Sequence, residues 1–158
     1  NIIIYDLSYE MIKKAKNRIN NKKLFFINGS AELISLPSNC IDLVTLSFGL
    51  RNFSNVELAI QECYRVLKYG GKIYCLEFSP SYSKLIKPSY DFYSNKIIPK
   101  IGKLIAKNEN AYQYLTDSIH NFYHNPELKN IFNKNGFFCY TEKKYLGGIA
   151  ILNVFSKV

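Results

Sequence analysis

Apolar positions fall along this chain in short blocks that alternate between a strand period and a helix period. Ile2 to Tyr5 is a continuous apolar run closed by Asp6, the pattern of a parallel strand buried on both faces. Ser8 can cap a helix in which Met11 or Ile12, Ala15 and Ile19 share one face. Leu24 to Ile27 reads as the next strand, and Ile41 to Phe48 as another whose aliphatic density predicts a central position. Ser54-Asn55-Val56-Glu57 has the form of a capping box. The helix it opens buries Ala59, Cys63, Val66 and Leu67, and Gly70-Gly71 is expected to end it. Lys72 to Phe78 is then a strand, and this βαβ rhythm predicts a doubly wound parallel α/β sheet.

From Ser79 to about His124 the period stays helical, but its faces carry Tyr82, Tyr90, Tyr93, Tyr112, Tyr114 and Tyr123. A helical insertion over the sheet edge, at about residues 80–124, accounts for this. Asn125 as cap and Pro126 at the first position open a last helix that buries Leu128, Ile131 and Phe132 and stops at Asn135-Gly136. Strands Phe137 to Leu146 and Ile149 to Phe155 follow, and Gly147-Gly148 predicts a tight hairpin with the final strand antiparallel. There is no internal repeat, and residues 1–158 are expected to form one domain.

Composition narrows the class. An apolar fraction of 47% with 15% aromatics is that of a folded chain, and no apolar run reaches the ~18 residues of a membrane span. Lysine and arginine exceed acids by 21 − 12 = 9. Those charges are scattered rather than gathered on one helix, and no zinc-finger or RNA-recognition signature accompanies them, so nucleic acid is not an expected partner. Cys40, Cys63, Cys75 and Cys139 form no Cys-x-x-Cys pair, which predicts neither disulfides nor a metal site and fits a reducing compartment. The chain opens on an apolar strand without initiator methionine, signal or transit segment, as expected of a piece of a longer protein.

Three segments could carry chemistry. In open α/β sheets ligands bind outside the carboxyl ends of the strands. Asp6 lies at such an end and could accept both hydroxyls of a ribose, although a turn-forming aspartate or the acid of an NAD enzyme takes the same place. The loop Asn28-Gly29-Ser30-Ala31-Glu32 could offer a backbone N–H and a polar side chain to a purine; a plain loop cap explains it as well. Ser47-Phe48-Gly49-Leu50-Arg51-Asn52 ends the expected central strand. There glycine permits close backbone approach and Arg51 could polarise an oxygen, with a surface salt bridge as the simpler alternative.

Set in order along the whole chain, these segments resemble the ubiquinone/menaquinone-biosynthesis C-methyltransferase family. The likeness lies in Asp6-Leu7-Ser8 to Met11, Gly29 to Glu32, Ser47 to Asn52, Tyr64 to Lys68 with Gly70-Gly71, Leu76 to Ser79, and Tyr112 to Leu115 with Ser118-Ile119. It implies a class I, Rossmann-like S-adenosylmethionine-dependent fold whose first strand, first helix and glycine-rich loop precede Asn1. It implies methylation of a ring carbon of a polyprenylated benzoquinol, or of a demethylmenaquinol. By matching positions Asp6 would hold the cofactor ribose, Ser30 and Ala31 the adenine, and Ser47 the cofactor pocket, while Arg51 and Asn52 would face the quinol. Ser30 stands where the family usually has asparagine or aspartate, and Tyr69 where it has proline. The histidine-bearing run His120 to His124 replaces an arginine pair.

In that reading Arg51, which stays protonated, stabilises a phenolate or polarises a water, and Asn52 orients the ring. His120 and His124 could shuttle protons, but surface or packing roles are the commoner use. The tyrosine-rich insertion would form a wall for an isoprenoid tail. The resemblance also implies a homodimer, a quinone-synthesis complex and a peripheral membrane contact. The wording of Arg51-Asn52-Phe53 and Tyr74 to Phe78 leans toward the matrix side of the mitochondrial inner membrane, with the bacterial cytoplasm as the alternative. A non-catalytic lipid-binding or scaffold subunit is the rival outside enzymes.

Overall fold

The computed structural model describes residues 1–19, 21–80 and 109–158, with the side chains of 109–112 left aside. The element order is β1 (Ile2–Asp6), α1 (Tyr9–Arg18), β2 (Leu24–Asn28), β3 (Ile41–Ser47), a 3-10 turn (Leu50–Asn52), α2 (Val56–Val66) and β4 (Leu67–Phe78). After the undescribed stretch come α3 (Glu109–His120), α4 (Asn125–Lys134), β5 (Phe137–Tyr145), a 3-10 turn (Leu146–Gly148) and β6 (Ala150–Lys157).

The strands form two sheets. β1 and β2 pair in parallel, and the other four run in the order β3-β4-β6-β5. β3 and β4 are parallel, whereas β6 lies antiparallel between β4 and β5, as the glycine pair predicts for the final strand. β3 is therefore at the edge of its sheet instead of at its centre, and β1 pairs on one side only. β1 is not buried on both faces as expected, with Ile2 61% exposed, and Leu43 of the edge strand β3 is 52% exposed.

The core lies on one face of the four-stranded sheet. Ile73, Cys75 and Phe155 from the strands meet Ile60 and Cys63 of α2 and Leu128 and Phe132 of α4. Phe132 and Phe155 stack with ring centroids 3.9 Å apart. All four cysteines are free; burial pushes the Cys63 thiol up to about 12 and raises Cys75 as well, which keeps both protonated and inert.

Several helix ends differ from expectation. Asn55, not Ser54, caps α2 by accepting from Leu58 N at 3.0 Å, while the N–H groups of Ser54 and Asn55 both go to Glu32. α2 ends at Val66, four residues before the glycines, and the chain turns at Gly70 (φ 75°) only after entering β4. Gly71 is required there, since a Cβ would lie 2.7 Å from Lys68 O. Lys157, only 4% exposed, takes the place of a helix cap by donating to Tyr64 O and Leu67 O at 2.7 and 2.8 Å. His124 rather than Asn125 precedes α4, because the Asn125 side chain reaches inward to Glu142 and Asn153. The last turn is a 3-10 turn rather than a two-residue hairpin. Of the expected tyrosine-rich insertion, Tyr82, Tyr90 and Tyr93 lie outside the described residues.

Candidate functional site

The candidate residues collect at the carboxyl ends of β1 and β3, and a single carboxylate ties the two groups together. In the first, Asp6 closes β1 and its Oδ1 accepts from Ser8 N at 2.7 Å, so the turn-forming role is real. Its other oxygen has no partner among the described residues and the side chain is exposed, leaving one acceptor for a hydroxyl. Asn28 donates to Asp6 O and Leu7 O at 2.9 and 2.8 Å, and Gly29 N to Asp6 O at 3.0 Å, which places the loop beside Asp6.

Gly29 has a steric reason. A Cβ there would lie 2.3 Å from the Tyr5 hydroxyl, which is held between Leu33 O and Ser35 N. The Ser30 hydroxyl donates to Glu32 and accepts from Glu32 N, so it is already engaged within the loop. Ala31 N–H donates to no protein acceptor among the described residues. Glu32 spans the gap: its second oxygen accepts from Ser54 N at 2.9 Å and Asn55 N at 3.3 Å. The Ser30 hydroxyl and those N–H groups hold its carboxyl below the ordinary range. Behind it, Arg65 clamps the same loop through Ile34 O, Leu36 O and Glu62. Tyr5, Glu32 and Arg65 each also reach partners more than twenty residues away, and no local pattern reports those contacts.

The second group starts at Ser47, the exposed last residue of β3, paired with Leu76. Phe48 follows at φ 53°, a left-handed conformation that is costly for a residue with a side chain. It aims the Phe48 carbonyl at Arg51, whose Nη1 donates to it at 2.6 Å. Gly49 has an ordinary φ of −110°, and a Cβ there would meet nothing nearer than Ser47 O at 3.9 Å, so the protein alone does not demand glycine.

Arg51 is far more enclosed than a surface salt bridge would be. Its side chain is 9% exposed, Nη1 pairs with Glu77 Oε2 at 3.1 Å, and Nε donates to Ser118 Oγ of α3 at 3.3 Å. The guanidinium carbon lies 5.4 Å from the Phe78 ring centre. Glu77, 3% exposed, also accepts from Leu50 N at 2.8 Å and Phe78 N at 3.2 Å. Burial raises its carboxyl above the ordinary range against the pull of Arg51. Asn52 Oδ1 accepts from Tyr114 OH at 2.9 Å. That leaves Arg51 Nη2 and Asn52 Nδ2 without partners among the described residues: two NH2 groups from consecutive residues, both donors only. Glu77, Tyr114 and Ser118 lie within the segments that carry the family likeness, but nothing in their local spacing marks them as neighbours of Arg51.

His120 is exposed at the end of α3, and His124 N–H donates to Glu127 at the start of α4. Among the described residues no three His, Cys, Asp or Glu side chains could hold a metal ion, and no helix is long and apolar enough to cross a membrane.

Solved structures share this architecture. A S-adenosylmethionine-dependent methyltransferase from Aquifex aeolicus superposes with a TM-score of 0.68 at 14% identity, covering 99% of this chain and 68% of that one. The C-methyltransferase domain of the citrinin polyketide synthase gives 0.71 at 14% identity over 98% and 38%. These likenesses establish the class I methyltransferase fold. In sequence, the ubiquinone/menaquinone biosynthesis C-methyltransferase of Xanthomonas oryzae is 38% identical over 156 residues, 96% of this chain and 62% of the relative. Those of Rickettsia bellii and Hydrogenovibrio crunogenus are 38% and 41% identical over 156 and 140 residues, covering 96% and 86% of this chain and 63% and 55% of theirs. The chain thus spans 55–63% of the length of these curated relatives. These relatives are bacterial, so the mitochondrial expectation gains no support from them. The model of the ubiE/COQ5 methyltransferase family matches residues 1–157, and the chain belongs to that family.

Proposed function

We propose that this chain is the larger part of an enzyme that transfers a methyl group from S-adenosylmethionine to a ring carbon of a polyprenylated benzoquinol. The observation that carries the reading is the donor-only edge of Arg51 and Asn52 in a chain of this family. A ring carbon becomes nucleophilic when a neighbouring phenol ionises, and a free phenol does so only near pH ~10. Unpaired N–H groups fixed in a low-dielectric setting stabilise such an oxyanion. Arg51 stays protonated and therefore lowers the cost of the phenolate without removing the proton itself. Asn52, its carbonyl taken by Tyr114, has its amide N–H groups left for the same ring.

The cofactor would supply a methyl group on a positively charged sulfur. The residues present fit its nucleoside end: Asp6 has a free carboxylate oxygen for the ribose and Ala31 a free N–H for an adenine nitrogen. Ser30 contributes less than its position implies, since Glu32 holds its hydroxyl. A demethylmenaquinol offers the same ionisable ring hydroxyl, and the relatives' names cover both quinones. A homodimer, a peripheral membrane contact and membership of a quinone-synthesis complex belong to the same reading.

The test uses the full-length protein. Calorimetry should show binding of S-adenosylmethionine in preference to NAD, which also separates an enzyme from a scaffold subunit. Arg51→Lys keeps a positive charge beside Glu77 but removes the second N–H edge. It should lower kcat on the order of 10²-fold while cofactor affinity stays within about twofold of the parent. Preference for NAD, or an unchanged kcat, rejects the proposal.

A further inference from the structure

We infer that Glu77 is a positioning residue for methyl transfer, setting the direction in which Arg51 presents its free N–H edge; this rests on the methyl-transfer reading above. Arg51 is held on four sides. Phe48 O and Glu77 Oε2 take Nη1, Ser118 Oγ takes Nε, and the Phe78 ring lies against the guanidinium. Of these, Glu77 alone brings charge, and it alone also grips the backbone of the same turn, through Leu50 N at 2.8 Å. One carboxylate therefore fixes both the turn that carries Arg51 and the head group of Arg51. Its two oxygens divide three donors, Oε1 for Leu50 and Oε2 for Arg51 and Phe78.

Glutamine cannot reproduce this. It has the same size but a single acceptor oxygen, so either Leu50 N–H or Arg51 Nη1 must face an NH2 donor. The guanidinium then turns toward its remaining acceptors and its free edge leaves the line of the ring oxygen. Aspartate keeps the charge but falls short of Arg51 by one methylene.

A purely structural glutamate would change stability and leave chemistry alone. A positioning one lowers kcat through Arg51, and only while Arg51 is present. In the full-length protein Glu77→Gln and Glu77→Asp should each reduce kcat on the order of 10- to 100-fold, the scale of a misplaced catalytic group. The KM for the quinol and the Kd for S-adenosylmethionine should stay within about twofold. The Arg51→Lys/Glu77→Gln double variant should fall within about threefold of Arg51→Lys alone. Should Glu77→Gln fail to bind cofactor, and so fail to fold, Glu77→Asp against Arg51→Lys carries the same comparison. Losses that multiply in the double variant, or wild-type kcat in either Glu77 variant, overturn the inference while leaving the role of Arg51 intact. Wild-type kcat in Arg51→Lys removes the underlying reading and the inference with it.

Discussion

Glu32→Gln measures what the joint between the two halves of the site is worth. Glutamine conserves the shape but offers one acceptor oxygen where Glu32 uses both, one for Ser54 N and Asn55 N and one for the Ser30 hydroxyl. Hydrogen bonds to a charged acceptor contribute about 1.5–3 kcal/mol, against about 0.5–1.5 for neutral ones. The carboxylate also lies at the start of α2, where an anion adds roughly 0.3–1 kcal/mol. These contributions overlap, so the variant should lose about 2 kcal/mol at neutral pH. The sign with pH follows from the Ser30 hydroxyl and the backbone N–H groups, which hold the folded-state pKa below its ordinary 4.5. Stability from Glu32 is then fully present above that value and disappears as pH falls through the lowered one. Glu77 acts in the opposite sense, because burial raises its carboxyl and protonation relieves the cost; it is common to both proteins and cancels. Urea midpoints at constant m give the difference. A gap below about 0.5 kcal/mol at neutral pH, or one unchanged down to acid pH, would refute the reasoning.

Two further outcomes separate the cofactor loop from the scaffold behind it. Gly29→Ala forces a Cβ against the pinned Tyr5 ring; denaturation should show a loss of about 1–3 kcal/mol, and calorimetry a weaker S-adenosylmethionine affinity, since Ser30 and Ala31 must shift. Lys157→Met keeps the aliphatic stem but strips the donor from Asn39 Oδ1, Tyr64 O and Leu67 O. Its Tm should fall by roughly 5–15 °C with cofactor affinity unchanged, and a drop too small to resolve would show that water replaces the amine.

Periodicity made most elements legible because strand and helix spacing are local properties. The antiparallel last strand could be foreseen from Gly147-Gly148, and the Ser8 cap from the helix behind it, since each depends on a few adjacent residues. The two caps that differ from expectation lie among partners distant in sequence. Asn55 caps α2 in a turn whose backbone N–H groups Glu32 holds, and the Asn125 side chain reaches inward to Asn153. The edge position of β3 was hidden for another reason. Aliphatic density reports what a strand can bury, not which strands pair with it.

The same distinction governs the candidate site. Arg51 stands out in the sequence by residue type and place, yet its orientation belongs to Glu77, twenty-six residues away. Their meeting follows from topology. Ser47 pairs with Leu76 in a parallel ladder, so the residue after Leu76 must lie beside the turn that follows Ser47. Any acid in that position would face the start of the turn, and an arginine one residue further on would reach it. The signal was therefore present as an arginine four residues past Ser47 and an acid one residue past Leu76, two positions that the parallel ladder pairs. What it lacked was the register, which belongs to the pairing of β3 with β4 and which neither strand's local pattern reports. An arginine chosen for its charge alone would have been free to swing in solvent. Pinned by Glu77, Phe48 and Ser118, it keeps one edge unspent, and that edge is what the proposed chemistry requires.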